Sequence, residues 1–341
     1  MKKDLKGLTF EELKELISSI GEKPFRAKQI YPFIFKGIES IDEIGNIPKT
    51  LKEKLKEISY ISSSKIFQKF ESKIDSTKKY LIELDDKNIV ETVLMEYRHG
   101  LSICISSQVG CRMGCKFCAS TIDGLVRNLL PGEMLGQILS VQKDIGKRIS
   151  NIVIMGSGEP FDNYDNFVQF LKVVHEEEGL NVGYRHITVS TCGIVPKIYE
   201  FADLNLPVNL AISLHETNQA KREELMPVGK AYSIKEVIDS AKYYTQKTKR
   251  RITFEYSLIK GVNDSKKDAE DLSSLLKGML CHVNLIPVNN IKERDFKKPD
   301  IKSSQEFNNI LKNKNIESTI RREMGKDING ACGQLRQSAV K

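Results

Sequence analysis

No apolar run in this sequence is long enough to cross a bilayer. Residues Met1–Phe10 are polar and carry no apolar h-region, so no secretory signal is visible. A cytoplasmic protein without a membrane partner is therefore expected. Internal repeats and low-complexity tracts are also lacking, which argues against a solenoid. The seven cysteines are an odd number in a chain without an export signal. Disulfide scaffolding is thereby disfavoured, and metal or catalytic use is favoured.

What is present is ordinary globular composition, with 40% hydrophobic and 29% charged residues. A length of 341 residues accommodates one large domain with a real core and a smaller appendage. The formal net charge of +8 leans toward polyanionic partners such as RNA, through phosphate contacts and counterion release. The segment from Lys292 to Lys341 holds eight Lys and four Arg against four Glu and three Asp. Within it Arg321, Arg322 and Arg336 flank Cys332 and are candidate phosphate contacts.

Residues 1–95 read as a small helical accessory domain with a β-rich connection, and residues 96–341 as an α/β domain. Thr9 and Glu12 fit a capping box, Leu13, Leu16, Ile17 and Ile20 follow helical spacing, and Gly21 is a stop signal. Further helices are expected over Arg26–Phe35 and Leu51–Ile58, then strands over Tyr80–Leu84 and Ile89–Met95. From Ile103 onward six β-rich runs alternate with helix-compatible stretches, which implies parallel pairing by right-handed crossovers. Such a chain closes partly into a barrel or opens into a doubly wound sheet. Either way the chemistry belongs at the C-terminal strand ends.

The strongest local signal is Cys111-Arg-Met-Gly-Cys115-Lys-Phe-Cys118, just after the first of those strands. Four Cys usually ligate a [4Fe–4S] cluster, and three adjacent ones leave an iron open. A zinc site needs a fourth Cys or His at suitable spacing, and none follows nearby. Further along, Met155-Gly-Ser-Gly158-Glu159-Pro160, Ser190-Thr-Cys-Gly193, Ser213-Leu214-His215 and Asn289 each follow a strand. Glycines let backbone approach a ligand closely, and a carboxylate can accept from an ammonium group.

The CxxxCxxC triplet resembles the signature of the radical S-adenosylmethionine (SAM) superfamily. The ordered set of motifs is similar to one family within it, the dual-specificity 23S rRNA and tRNA adenine-C2 methyltransferases. That likeness extends over nearly the whole chain. It includes Phe25–Ile30, Val90-Glu91-Thr92-Val93, Cys104–Cys111, Val126–Leu129 and Ala331-Cys332-Gly333-Gln334-Leu335. The resemblance implies a partial (βα)6 radical SAM barrel with an RNA-binding N-terminal domain. It implies a [4Fe–4S] cluster on Cys111, Cys115 and Cys118, with SAM held by Gly158, Glu159, Ser190, Ser213, Leu214, His215 and Asn289. It further implies that Cys332 carries a methyl group as S-methylcysteine, that Glu91 accepts the C2 proton, and that Cys104 releases the product. Two SAM molecules are then consumed per turnover. The implied partners are 23S rRNA before full subunit assembly, tRNA, and an electron donor such as flavodoxin or ferredoxin. Cys192 and Cys281 fall outside these roles and read as structural. Two alternatives stand beside this reading. One is the related C8-directed resistance methyltransferase, which shares the cluster, Cys104 and Cys332. The other is a non-catalytic RNA-binding module with a structural metal.

Overall fold

The computed structural model describes residues 2–98, 100–289, 291 and 293–335; Arg336 lies outside them. Three helices open the chain: α1 (Phe10–Ser19), α2 (Arg26–Ile34) and α3 (Lys49–Ile58). The capping box at α1 forms as the spacing predicts. The Glu12 backbone N–H donates to Thr9 Oγ1 at 3.3 Å, and the Thr9 N–H donates to Glu12 Oε2 at 2.7 Å. These helices bury a core of their own around Leu13, Ile17, Ile30, Tyr31 and Leu55. Gln169 Nε2 ties this unit to the rest by donating to Gly7 O at 3.1 Å and Glu12 Oε2 at 2.6 Å.

Ten strands then build one sheet in simple chain order. Four antiparallel strands come first: β1 (Ser64–Glu71), β2 (Lys78–Leu84), β3 (Ile89–Tyr97) and β4 (Gly100–Ile105). From β4 every neighbour is parallel: β5 (Asn151–Ile154), β6 (Ile187–Thr191), β7 (Asn209–Ser213), β8 (Ile252–Leu258), β9 (Cys281–Pro287) and β10 (Ser318–Ile320). The six parallel strands expected from the sequence are all present. Short β10 adds a seventh, because Val283–Leu285 offers it an edge to pair with.

Crossover helices cover one face of the parallel strands: α4 (Pro131–Ile145), α5 (Tyr164–His175), α6 (Val195–Asp203), the short α7 (Gln219–Leu225), α8 (Ile234–Thr248), α9 (Lys266–Leu275) and α10 (Ile301–Asn313). Strand alternation sorts the two faces. On β8, Ile252, Phe254, Tyr256 and Leu258 enter the main core, while Glu255 and Ser257 line a cavity on the other side. The sheet ends in edge strands β1 and β10, so the barrel is partial. Among the described residues no helix is long and apolar enough to cross a membrane.

Candidate active site

The loop after β4 is shaped by a small hairpin in which Gln108–Gly110 pairs with Leu125–Asn128. Gly110 has φ +74°, and a Cβ there would lie 2.0 Å from Gly124 O, so only glycine closes this neck. The closed loop presents Cys111, Cys115 and Cys118 to one cavity at the C-terminal strand ends. Thr121 Oγ1 donates to Cys118 O at 2.9 Å and Cys115 O at 3.2 Å, stiffening the turn between them. Burial pushes the Cys111 thiol up to about 12 and the Cys115 and Cys118 thiols upward as well. Such thiols are reluctant anions unless a metal centre takes up their charge. Among the described residues no three His, Cys, Asp or Glu groups converge as a single-ion site. Three thiols around a cavity fit a multi-iron cluster, with one thiolate for each ligated iron.

Gly158, Glu159, Ser190, Ser213, His215 and Asn289 line the same cavity, although they come from four different strand ends. Gly158 sits at φ +109°, and a Cβ there would lie 2.6 Å from Gln108 Cβ and 2.7 Å from its backbone N. Glu159 is buried, and burial raises its carboxyl above the usual range. Its two oxygens accept the N–H of Cys192 at 2.7 Å and of Phe161 at 3.0 Å, which opposes that rise. His215 has φ +56° and accepts the Ser257 N–H on Nδ1 at 2.8 Å. The neutral ring therefore carries its proton on Nε2. Burial and the Arg222 cation push its pKa down to about 3. Leu214 differs from these residues: its side chain is fully buried in the main core, it does not line the cavity, and its carbonyl accepts Arg222 Nε at 3.3 Å.

A second, narrower cavity is lined by Val93, Met95, Cys104, Arg321 and Cys332, among others. Met155, Asn289, Arg321 and Cys332 line both cavities. The Cys332 turn is held from three sides. Asn289 Nδ2 donates to Cys332 O at 2.9 Å, Ala119 N–H to Gly333 O at 2.8 Å, and Ser120 Oγ to Leu335 O at 2.8 Å. Pairing of Val93 with Cys104 puts β3 beside the thiol, so Val93 and Met95 pack against it. Glu91 shares their face of β3 but lines neither cavity. It is buried, with Lys79 Nζ 3.3 Å away, and Lys79 also donates to Asn329 O at 3.5 Å.

Glu255 escapes the sequence reading, whereas Arg321 reads there as a candidate phosphate contact and Cys192 as a structural thiol. Arg321 turns inward rather than toward solvent. Its nearness to Cys332 and to Glu255 pushes its guanidinium pKa upward. Glu255 also lines the main cavity and accepts Asn284 Nδ2 at 2.8 Å. A lone carboxylate inside the β-rich run Ile252–Leu258 was the available signal for it. Cys192, read as structural, stands in the main cavity wall and packs with Cys115 and Met226. Arg322 is exposed at the rim of the second cavity.

Two family models match the chain: "Radical SAM superfamily" over residues 105–272 and "Ribosomal RNA large subunit methyltransferase N-terminal domain" over residues 3–61. The chain is 58% identical over 333 residues to "Probable dual-specificity RNA methyltransferase RlmN" of Clostridioides difficile (strain 630), covering 98% of this chain and 97% of that one. It is 60% identical over 334 residues to the protein of that name from Alkaliphilus oremlandii (strain OhILAs), with the same 98% and 97% coverage. A crystal structure of a radical SAM methyltransferase from Sphaerobacter thermophilus superposes with a TM-score of 0.93 at 41% identity, covering 98% of this chain and 99% of that one.

Proposed function

The chain belongs to the RlmN dual-specificity RNA methyltransferases of the radical SAM superfamily, and from that membership we propose that it methylates C2 of an adenine in 23S rRNA and of the adenine 3′ of the anticodon in tRNA. It is an enzyme that works with a [4Fe–4S] cluster and SAM. When bound, these supply a transferable methyl group and a radical able to abstract hydrogen.

One observation carries the residue assignments: Cys332 faces both cavities, with the cysteine triplet on one side and Cys104 on the other. Cys111, Cys115 and Cys118 hold the cluster. Gly158, Glu159, Ser190, Ser213, His215, Asn289 and the Leu214 backbone hold SAM, with His215 offering an Nε2–H donor. Cys332 displaces a methyl group from one SAM and carries it as a thioether. After hydrogen abstraction its carbon adds to C2 of the base. Adenine C2 has no acidic proton in the free base, which is why an ordinary polar methylation there is slow. The adduct loses its C2 proton to Glu91 and one electron to the one-electron carrier chain, restoring the aromatic ring. The Cys104 thiolate then attacks the Cys332 sulfur. The carbon–sulfur pair stays on the exocyclic carbon, which takes a proton and becomes the methyl group. A thiol reductant returns the resulting disulfide to two thiols.

The target adenine must leave its stack to reach Cys332, so a flipped or bulged nucleotide is the substrate. The N-terminal domain and the basic C-terminal segment would grip the flanking phosphates. We assign the protein to the cytoplasm, rRNA recognition to a stage before full subunit assembly, and electron supply to a flavodoxin or ferredoxin. Chromatography of digested RNA tests the regiochemistry, for which Pro160 after Gly158-Glu159 favours C2. The expected product is 2-methyladenosine, and 8-methyladenosine as the main product would overturn the assignment.

A further inference from the structure

Arg222 lies on α7 and is completely buried, the largest such side chain in the described structure. Its guanidinium donates only to backbone carbonyls: Cys192 O at 2.9 Å, Leu214 O at 3.3 Å and Tyr232 O at 3.3 Å. Among the described residues no carboxylate pairs with it. The neighbouring carboxylates are engaged elsewhere, Glu223 with Gln219 and Glu224 with Lys116. Gly193 packs directly on it; a Cβ there would lie 3.2 Å from Arg222 Nη2. A buried cation normally has a buried anion beside it, because carbonyl dipoles alone replace only part of its lost hydration. The Cys192 carbonyl is the nearest of the three that the guanidinium holds, and Cys192 packs against the cluster-loop residue Cys115 in the cavity wall. The missing counter-charge therefore lies on the side of the cysteine triplet.

We propose that Arg222 is the buried counter-charge of the iron–sulfur cluster and raises the cluster's reduction potential. The proposal rests on Cys111, Cys115 and Cys118 holding that cluster. One-electron reduction adds one negative charge to the cluster and breaks no bond. The electron comes from a one-electron donor of the flavodoxin or ferredoxin class. A buried fixed cation favours the more negative state of a cluster beside it, and net charge around a cluster is one of the levers on its potential. Arg222 is thus a positioning and tuning residue that touches neither SAM nor RNA. It also ties the Ser190–Gly193 and Ser213–His215 turns together through their carbonyls, so charge and scaffold must be separated by experiment.

The test uses the full chain, reconstituted anaerobically, as wild type, Arg222→Gln and Arg222→Lys. Glutamine keeps a donor for the carbonyls but removes the charge; lysine keeps the charge. Each is titrated with titanium(III) citrate, with cluster absorbance and the electron paramagnetic resonance signal of the reduced cluster as readouts. At a fixed potential the reduced-to-oxidised ratio should fall about tenfold in Arg222→Gln, a shift of about 59 mV for a one-electron couple. Arg222→Lys should retain most of the wild-type ratio. The cluster-free Arg222→Gln protein should melt no lower than the cluster-free wild type, since its charge has no partner there. An unchanged potential in Arg222→Gln overturns the proposal. So does an equal shift in both variants, or a cluster-free Arg222→Gln protein that fails to fold. Wild-type protein that takes up no iron and sulfide would instead bring down the cluster assignment beneath it, a failure that metal analysis shows separately.

Discussion

Release of product through Cys104 has a pH signature that follows from where the thiol sits. Cys104 is buried on β4 between Val93 and Met95 on β3 and the Cys332 turn. Burial first, then the neighbouring Cys332, push its pKa up to about 12, while the Arg321 cation pulls the other way. The thiolate is the attacking species. With a pKa of about 12, roughly one Cys104 in ten thousand is ionised at pH 8, and the fraction rises about tenfold per pH unit. An exposed thiol near pKa ~8.5 would instead level off by pH 9. Single-turnover reactions with excess enzyme, quenched at intervals, read the decay of the covalent RNA–protein adduct on denaturing gels. Its rate should climb roughly a hundredfold between pH 7 and pH 9 without a plateau. Arg321→Met should slow the decay at every pH, by removing the cation that favours the thiolate. Cys104→Ala should consume SAM and attack RNA yet never release it, leaving a trimmed nucleotide on Cys332 as a mass adduct. A pH-independent decay, or normal turnover by Cys104→Ala, refutes the role given to this thiol.

Replacing Cys115 with Ala should abolish both the iron–sulfur absorbance and 5′-deoxyadenosine formation, and SAM cleavage that survives in the variant would exclude the cluster assignment. Gly158→Ala combines backbone strain of ~1–3 kcal/mol with overpacking of ~1–3 kcal/mol against Gln108. Gly146→Ala, at φ +62° with nothing within 4 Å, carries only the left-handed penalty of roughly 1–2 kcal/mol. Thermal melts and SAM binding should therefore suffer much more at Gly158, and equal melts would contradict the crowding at that turn. His215 is depressed to about 3 when folded against ~6.5 unfolded, so the unfolded chain binds its proton first as pH falls. Stability is then full above about pH 6.5 and is lost on acidification, by ~2 kcal/mol at pH 5. Denaturant melts of cluster-free protein at pH 7 and pH 5 should show this loss and His215→Asn should lack it; an equal loss in both would place the titration elsewhere.

Local chemistry was enough for much of the architecture. The Thr9/Glu12 capping box, the amphipathic spacing of α1 and the apolar strand runs from Ile103 to Ile286 depend on residues a few positions apart, where hydrogen-bond reach and side-chain period decide the outcome. The three cysteines are likewise local, since one loop of eight residues carries them all. Where nearby residues were ambiguous, partners decided. Strand β1 (Ser64–Glu71) mixes polar and apolar side chains with a bulge between Ile66 and Gln68, so only its pairing with β2 makes it a strand. Helix α7 has seven residues, too few to be stable in isolation, so only its tertiary surroundings make it a helix. Arg321 reads in sequence as a phosphate contact beside Cys332; β10 pairing with Val283–Leu285 turns it inward onto Cys332 and Glu255. The meeting of Cys104 with Cys332 is tertiary altogether. A strand from the start of the parallel run and a turn from the far end of the chain reach one cavity only because the curled sheet brings its first and last parallel strands to the same rim, a closure no stretch of sequence encodes by itself.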